Sequence, residues 1–359
     1  MMVEMYERLR ERLDEFPNGF PRTESHIELE VLRHLFTPEE AETAVSLSLS
    51  PEPVPAIAKR MGVEERKLGE QLYSMSKKGL IWRRKGPDGQ YQYGLVPWAF
   101  GIWEFQLNRL TKENAELFER FHEEAVVPLR KKAKVPGFRV IPVQKAIESR
   151  TEIQPFEKVS GIIESNTRFA VAECICRKEA KLAGKGCDKL MDACMAFGPV
   201  ADFYIENGLG REITKEEARQ VLLKAEESGL IHCSANHAGN KALICNCCGC
   251  CCHSVSSLVK HGASGALAKS NYYASLDMAS CVACGVCVDR CQVRAIHVEG
   301  DETVIDRDKC VGCGLCAYTC PTESITMTLK EPEERIAPFP SQKEMFQAIT
   351  KDRKKQPLQ

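Results

Sequence analysis

No cysteine occurs before residue 174 or after residue 320. The chain has no run approaching the ~18 uninterrupted apolar residues that a membrane-spanning helix needs. Its N-terminus, MMVEMYERLRERLDEF, is charged and amphipathic, without the apolar core and small-residue cleavage site of a signal peptide. An excess of one charge is also missing: 49 Lys+Arg oppose 50 Asp+Glu. That balance argues against a protein built to coat nucleic acid or an anionic membrane. Gly208-x-Gly210 has no third glycine and no preceding strand, so it is no dinucleotide loop. Gly184-Lys185-Gly186 lacks the spaced first glycine and the following Ser/Thr of a phosphate loop. No flavin, nicotinamide or pterin site is evident. These absences predict a soluble cytoplasmic protein with no membrane span, and they name no substrate reaction.

What the chain does have is nineteen cysteines, all between Cys174 and Cys320. The number is odd, and many are adjacent or two residues apart. Disulfide geometry does not suit such crowding, and a cytosol would keep the thiols reduced. Soft thiolates at short spacing bind iron–sulfur clusters or zinc. Buried structural thiols would account for two or three of them, not nineteen.

The fold class expected is α+β and multidomain, since 359 residues suffice for two or three domains of roughly 100–200 residues. Residues 1–100 form the first domain, opening with a helix that ends at Pro17-Asn18-Gly19. Apolar spacing predicts helices over Ile27–Phe36, Pro53–Arg60 and Glu64–Lys78, then a hairpin around Gly86-Pro87-Asp88-Gly89. Residues 101–134 read as one amphipathic linking helix bent at Pro128. Residues 135–270 hold a cysteine-rich α/β domain, 271–330 a second cysteine field, and 331–359 a polar, loosely ordered tail with a short helix near Gln342–Thr350.

Helix, turn, helix and hairpin over about 75 residues resemble a winged helix. Between Pro21 and Phe100, however, 11 Lys+Arg balance 11 Asp+Glu. The would-be recognition helix carries Glu64, Glu65 and Glu70, which would face phosphates unfavourably. Arg83, Arg84 and Lys85 in the wing are as readily a solvated turn. A protein-docking or structural role is therefore preferred, and DNA is the less favoured partner.

The second field reads Cys281-x2-Cys284-x2-Cys287-x3-Cys291, then Cys310-x2-Cys313-x2-Cys316-x3-Cys320-Pro321. The two sets are offset by a constant 29 residues, as are Gly285 and Gly314, and Ile296 and Ile325. One half-domain is thus written twice. Thiolates two residues apart let a short loop wrap one corner of a cubane, with glycine permitting the curvature. Residues 276–329 resemble bacterial two-cluster ferredoxins. The resemblance implies two 4Fe–4S clusters, one on Cys281, Cys284, Cys287 and Cys320, the other on Cys310, Cys313, Cys316 and Cys291. Where that family places a proline after the fourth cysteine, Gln292 follows Cys291, which leaves ligation intact but alters the hydrogen bonding that tunes a cluster.

The remaining eleven cysteines form the first field. A strand over Phe169–Glu173 runs into Cys174-Ile175-Cys176-Arg177; Cys187 follows, then Cys194 at the start of an expected helix. Thr214 and Glu217 form a capping box for a helix that Gly229 ends. A second strand, Lys241–Cys245, runs into CNCCGCCCHS. Two strand ends thus deliver thiols, which predicts at least one further iron–sulfur cluster. Its ligands are expected among Cys174, Cys176, Cys187 and Cys194, mixed with Cys245, Cys247, Cys248, Cys250 and Cys251; zinc is the alternative. Cys233 stands apart as a buried thiol. His232, His237 and His253 are candidate ligands that read equally as ordinary core or surface histidines.

The whole order, through RVIPV, CICR, GLGREITKEEA and ICNCCGCCC, resembles iron–sulfur proteins of anaerobic bacteria and archaea with a ferredoxin-type end. The function expected is an iron–sulfur electron-transfer protein or subunit relaying single electrons to or from a partner oxidoreductase. Two other readings stay open: a redox-sensing winged-helix transcription regulator, and a catalytic iron–sulfur oxidoreductase acting at the central cysteines. Whether the chain is an enzyme by itself is left open, with an electron carrier or oxidoreductase subunit preferred.

Overall fold

The structure, a computed structural model, describes residues 2–147 and 158–355. Residues 148–157 of the expected central domain and 356–359 of the expected tail lie outside the described residues. The chain is mixed helix and sheet, and no described helix is long and apolar enough to cross a membrane.

The N-terminal region runs α1 (Met2–Asp14), α2 (Ile27–Leu35), α3 (Pro38–Val45), β1 (Glu52–Pro53), α4 (Val54–Met61), α5 (Glu65–Lys77), β2 (Trp82–Lys85) and β3 (Tyr91–Gly94). The expected helices form where apolar residues recur at helical spacing: α2 buries Ile27, Val31 and Leu35, and α5 buries Leu68, Leu72 and Met75. Helix α3 was not anticipated, although its signal was present. Thr37 and Glu40 close a capping box around Pro38 at the first helical position. The hairpin pairs Trp82 with Gly94 through to Lys85 with Tyr91, and β1 adds to β3 from the other side.

The single helix expected over 101–134 is not formed. A π-turn at Trp98–Ile102 and a 3-10 turn at Glu104–Gln106 precede α6 (Lys112–Phe121). Thr111, capped reciprocally with Asn114, restarts the helix there. A π-bulge at His122–Val126 then leads into α7 (Val127–Lys132). The bulge lies just before Pro128, where a regular helix would meet the proline ring and lose a hydrogen bond.

The central region is a six-stranded antiparallel sheet of β4 (Phe138–Ile141), β5 (Phe169–Glu173), β6 (Asp192–Phe197), β7 (Arg211–Glu212), β8 (Ile231–Ala235) and β9 (Leu243–Cys247), in the order β4-β8-β9-β6-β5-β7. Along β5 the faces alternate as a pleat demands. Phe169 and Val171 pack under α8 (Val159–Glu164) and α11 (Lys215–Glu227), while Ala172 joins the core of the N-terminal region. Helices α9 (Ile175–Leu182), α10 (Gly198–Glu206) and α12 (His253–His261) complete this part. Cys194, expected to start a helix, lies instead within β6, paired with Ala172 of β5.

The last part comprises β10 (Tyr272–Leu276), α13 (Val286–Arg290), the hairpin β11 (Ile296–Glu299) and β12 (Glu302–Ile305), α14 (Leu315–Thr319) and β13 (Ile325–Leu329), with β10 paired to β13. The repeat extends to the backbone. Gly285 and Gly314 sit at φ 77° and 80°, and Arg294 and Glu323, equally spaced, both sit at φ 53°. The tail expected to be loose carries α15 (Gln342–Lys355), which is anchored: Arg353 donates to the carbonyls of Asp14 and Phe16 at 3.0 and 2.8 Å.

Candidate metal centres

The eight cysteines of the repeat gather in two places. Cys281, Cys284, Cys287 and Cys320 line one small cavity, and Cys291, Cys310, Cys313 and Cys316 line another. In each set the fourth thiol comes from the other half of the repeat, because α13 and α14 carry Cys291 and Cys320 across to the opposite loop. Burial pushes the Cys316 thiol up to about 12, and Cys313 well up, as expected for thiols that are neutral until metal displaces their protons. The Ala295 N–H points at Cys291 Sγ, 3.1 Å away, and Thr322 Oγ1 lies 3.7 Å from Cys320 Sγ. Such donors stabilise cluster sulfurs.

The central thiols fall into two further groups. One is a closed ring. Cys174 neighbours Cys176 and Cys194, Cys245 neighbours Cys194 and Cys247, and Cys252 neighbours Cys176 and Cys247. Six thiols therefore follow one another in the cycle Cys174–Cys176–Cys252–Cys247–Cys245–Cys194. Hydrogen bonds from Cys194 and Cys247 lower Cys245 to about 6, and those from their neighbours hold Cys174 and Cys252 well below the usual thiol range. The ring is assembled by the N-cap and first turn of α9, the middle of β6, the last residues of β9 and the residue that caps α12.

The other group is Cys187, Cys248, Cys250 and Cys251, whose sulfurs all lie within 4.8 Å of one another. Hydrogen bonds from Cys250 and Cys251 pull Cys248 far below its usual value, and Cys250 rises to about 11 as their counterpart. Four convergent thiols suit zinc or an iron–sulfur centre.

The sequence leaves open how Cys174, Cys176, Cys187 and Cys194 mix with Cys245, Cys247, Cys248, Cys250 and Cys251; in the structure Cys187 gathers with Cys248, Cys250 and Cys251. Cys252, absent from the expected ligands, belongs to the ring. Its signal was its place as the last cysteine of ICNCCGCCC, directly before a helix. Cys233 lies on β8 opposite Cys245, fully buried, touching Cys247 but outside the cycle. None of the three histidines joins a thiol group among the described residues. His232 is held by Asn246 and Glu226 at 2.5 and 3.1 Å. His253 bonds Glu179 at 2.8 Å and stacks on Trp103 at 4.2 Å. His237 is buried beside Lys241 and is lowered by burial to about 4.

Arg177 lies between the two thiol groups with 0 % of its surface exposed. One terminal nitrogen donates to the Asn246 carbonyl at 3.0 Å and reaches Cys248 Sγ at 4.0 Å. Its Nε and other terminal nitrogen are buried and have no hydrogen-bond partner among the described residues. Burial opposes its charge, but Cys174, Cys194 and Cys248 outweigh it and raise Arg177 above its usual value. A buried guanidinium with unspent N–H groups facing thiolates on both sides fits anionic metal–sulfur centres.

The two cysteine regions abut. The Gly249 N–H donates to Gln292 Oε1 at 3.1 Å, and a side chain at 249 would run into the Gln292 carbonyl. Cys247 and Cys252 share one apolar cluster with Val293 and Val311, against which Cys291, Cys310 and Cys313 pack.

The family model of the 4Fe-4S dicluster domain matches residues 274–327. This segment is an iron–sulfur, ferredoxin-like domain. No curated protein and no solved structure matches the chain.

Proposed function

We propose that the chain is an iron–sulfur electron relay in which the ferredoxin-like segment exchanges single electrons with metal–thiolate centres of the central sheet. Two 4Fe–4S clusters are held by Cys281, Cys284, Cys287 and Cys320, and by Cys310, Cys313, Cys316 and Cys291. A third centre is held by Cys187, Cys248, Cys250 and Cys251. The observation that carries this reading is the contact of Gly249 with Gln292. Gly249 lies between two ligands of the third centre, and Gln292 directly follows a ligand of the second. The glutamine that stands where two-cluster ferredoxins have proline thus becomes the joint between two centres.

The N-terminal region, winged-helix-like in its order of elements, serves as scaffold and docking surface. The relay operates in the cytoplasm of a cell poor in oxygen, with an oxidoreductase as its partner. The test is anaerobic purification with iron and sulfide analysis of the full chain. Iron and acid-labile sulfide in near-equal amounts, above the content of two 4Fe–4S clusters and reduced in Cys187→Ala, are expected. Iron for two clusters only, or zinc at the Cys187 site, would overturn the relay.

A further inference from the structure

The thiol ring does not face packed protein. It forms the floor of a cavity of about 490 Å3 between the sheet and the N-terminal region, lined by all six ring cysteines. The walls are apolar and largely aromatic: Trp82, Phe100, Trp103, Phe105 and Phe138 among them. The ring's own metal centre would take part of this space, yet the cavity far exceeds those lined by the two four-cysteine sets of the ferredoxin-like domain, and an electron relay needs no such excess, since electrons pass through packed side chains. A concave apolar site of roughly 300–1,000 Å3 with a few convergent polar groups is instead the form of a small-molecule site.

The polar groups differ in availability. His253 is spent on Glu179, and its ring lies between those of Trp103 and His122. Arg130 donates through one terminal nitrogen to the His253 carbonyl and Ser257 Oγ, and its charge acts on Cys252, Cys176 and Glu104. Glu104 is different. Its Oε2 accepts from the Gly101 N–H at 2.8 Å, and among the described residues no cation comes within ion-pair distance of it, although the Arg130 charge acts on it. Its carboxyl lines the same cavity as the six ring cysteines, and burial favours its neutral form.

We propose that the ring carries an iron–sulfur centre at which a small, flat, uncharged conjugated carbonyl compound, bound in this cavity, is reduced with Glu104 as proton donor. Aromatic walls accept a flat ring, a carboxylic acid donates to a carbonyl oxygen, and the Arg130 cation favours the negative charge that develops there. The compound gains two electrons and two protons. A quinone becomes its hydroquinone; an enone loses its C=C bond and becomes the saturated ketone. The electrons arrive singly through the ferredoxin-like domain from a one-electron donor of the ferredoxin or flavodoxin class. Glu104 delivers each proton and is reprotonated by water from the cavity mouth, where Ala242 is exposed.

This proposal rests on the reading that the central thiols hold iron. The experiment uses the full chain, loaded anaerobically with iron and sulfide and reduced with dithionite that is then removed. The probes are 2-methyl-1,4-naphthoquinone and 2-cyclohexen-1-one. Stoichiometric reduction of at least one probe is expected, and which of the two reacts separates the quinone from the enone source. Glu104→Gln should keep its iron, its spectrum and its electron transfer to methyl viologen, a proton-free acceptor, while probe reduction slows by about a hundredfold. Ala242→Trp, a surface change at the mouth, should weaken probe binding. Equal probe rates in wild type, Glu104→Gln and Ala242→Trp would overturn the proposal while leaving the relay intact. Unchanged iron content in Cys174→Ala would remove the ring centre itself, and the proposal with it, whatever the Cys187 site holds.

Discussion

Arg83 of the hairpin donates to Glu206 of α10 at 3.0 Å from a position only 2 % exposed. The same guanidinium donates to Ser76 Oγ at 2.7 Å and lies over the rings of Tyr73 and Tyr91 at 4.8 and 4.9 Å. Trp82 stacks on Phe203 of the same helix, and Phe105 packs tilted against it. Of the basic wing that reads in sequence as a solvated turn, Arg84 and Lys85 are exposed, whereas Arg83 is an internal joint that holds the N-terminal region down on the sheet.

A first prediction follows for nucleic acid. With Arg83 consumed inside the protein, the full chain should show no salt-sensitive duplex binding beyond a weak background, measured by fluorescence anisotropy between 50 and 200 mM salt. Tight binding to one sequence at physiological salt would contradict this.

Arg83→Ala should destabilise the protein by about 1.5–3 kcal/mol, the range for charge-assisted hydrogen bonds. Urea unfolding read at the tryptophans would measure it, since Trp82 is next in sequence. Unaltered stability would mean that the joint is held by the aromatic contacts alone.

The junction at Gly249 can be tested without touching a thiol. Gly249→Ala places a methyl group against the Gln292 carbonyl, and Gln292→Pro removes the acceptor side chain. Both variants should retain the clusters of the ferredoxin-like domain but pass electrons to the central centres more slowly, as seen by stopped-flow reduction. Transfer at the wild-type rate in both would show that the contact is not part of the path.

For the ring, Cys252→Ala should lower iron content and Cys233→Ala should not, although both side chains are buried and both touch Cys247. In the same way Cys284→Ala should cost iron from the cluster on Cys281, Cys287 and Cys320. Iron analysis and low-temperature EPR distinguish these outcomes from simple unfolding when circular dichroism is unchanged.

Glu104 makes stability depend on pH. Its carboxyl titrates near 4.5 when unfolded and about 8 when folded. The folded state therefore binds the proton more tightly, and this contribution is fully present below pH 4.5 and lost as pH rises to 8. Through that window stability should fall by up to about 1.4 kcal/mol per pH unit. Glu104→Gln should remove that slope, so the variant gains on the wild type between pH 5 and pH 8 in anaerobic denaturation. Parallel curves would show that Glu104 is ionised in the folded protein.

The ferredoxin-like part was legible because its chemistry is local. Spacing within Cys281–Cys291 and Cys310–Cys320 sets loop curvature, and the 29-residue offset states the symmetry outright. The central thiols were legible only as a population. Their grouping depends on which strands are neighbours, and strand order β9-β6-β5 is a long-range property: it brings Cys245, Cys194 and Cys174 side by side, while Cys187 leaves on a loop toward Cys248 and Cys251. The role of Trp103 and Glu104 was hidden for another reason. In sequence they fall within what reads as a continuous helix, whereas the turns around Gly101 direct them into the cavity, and the capping pair Thr111–Asn114 is the local sign that a helix begins only there.

The clasp between Arg353 and the end of α1 bears on how far this protein can be treated as a set of exchangeable parts. In sequence the chain looks like a cassette: an adaptor, a thiol-rich insert and a portable ferredoxin. In space, residues 353 and 14 meet, the Val143 N–H bonds the Cys313 carbonyl, and Ile147 lies in the core around Tyr272 and Ile325. Cutting anywhere between these points exposes apolar surface on both pieces. Grafting residues 271–330 onto another host, or deleting them from this one, would therefore create two misfolding fragments, and any engineering of the electron path has to proceed by point substitution in the intact chain.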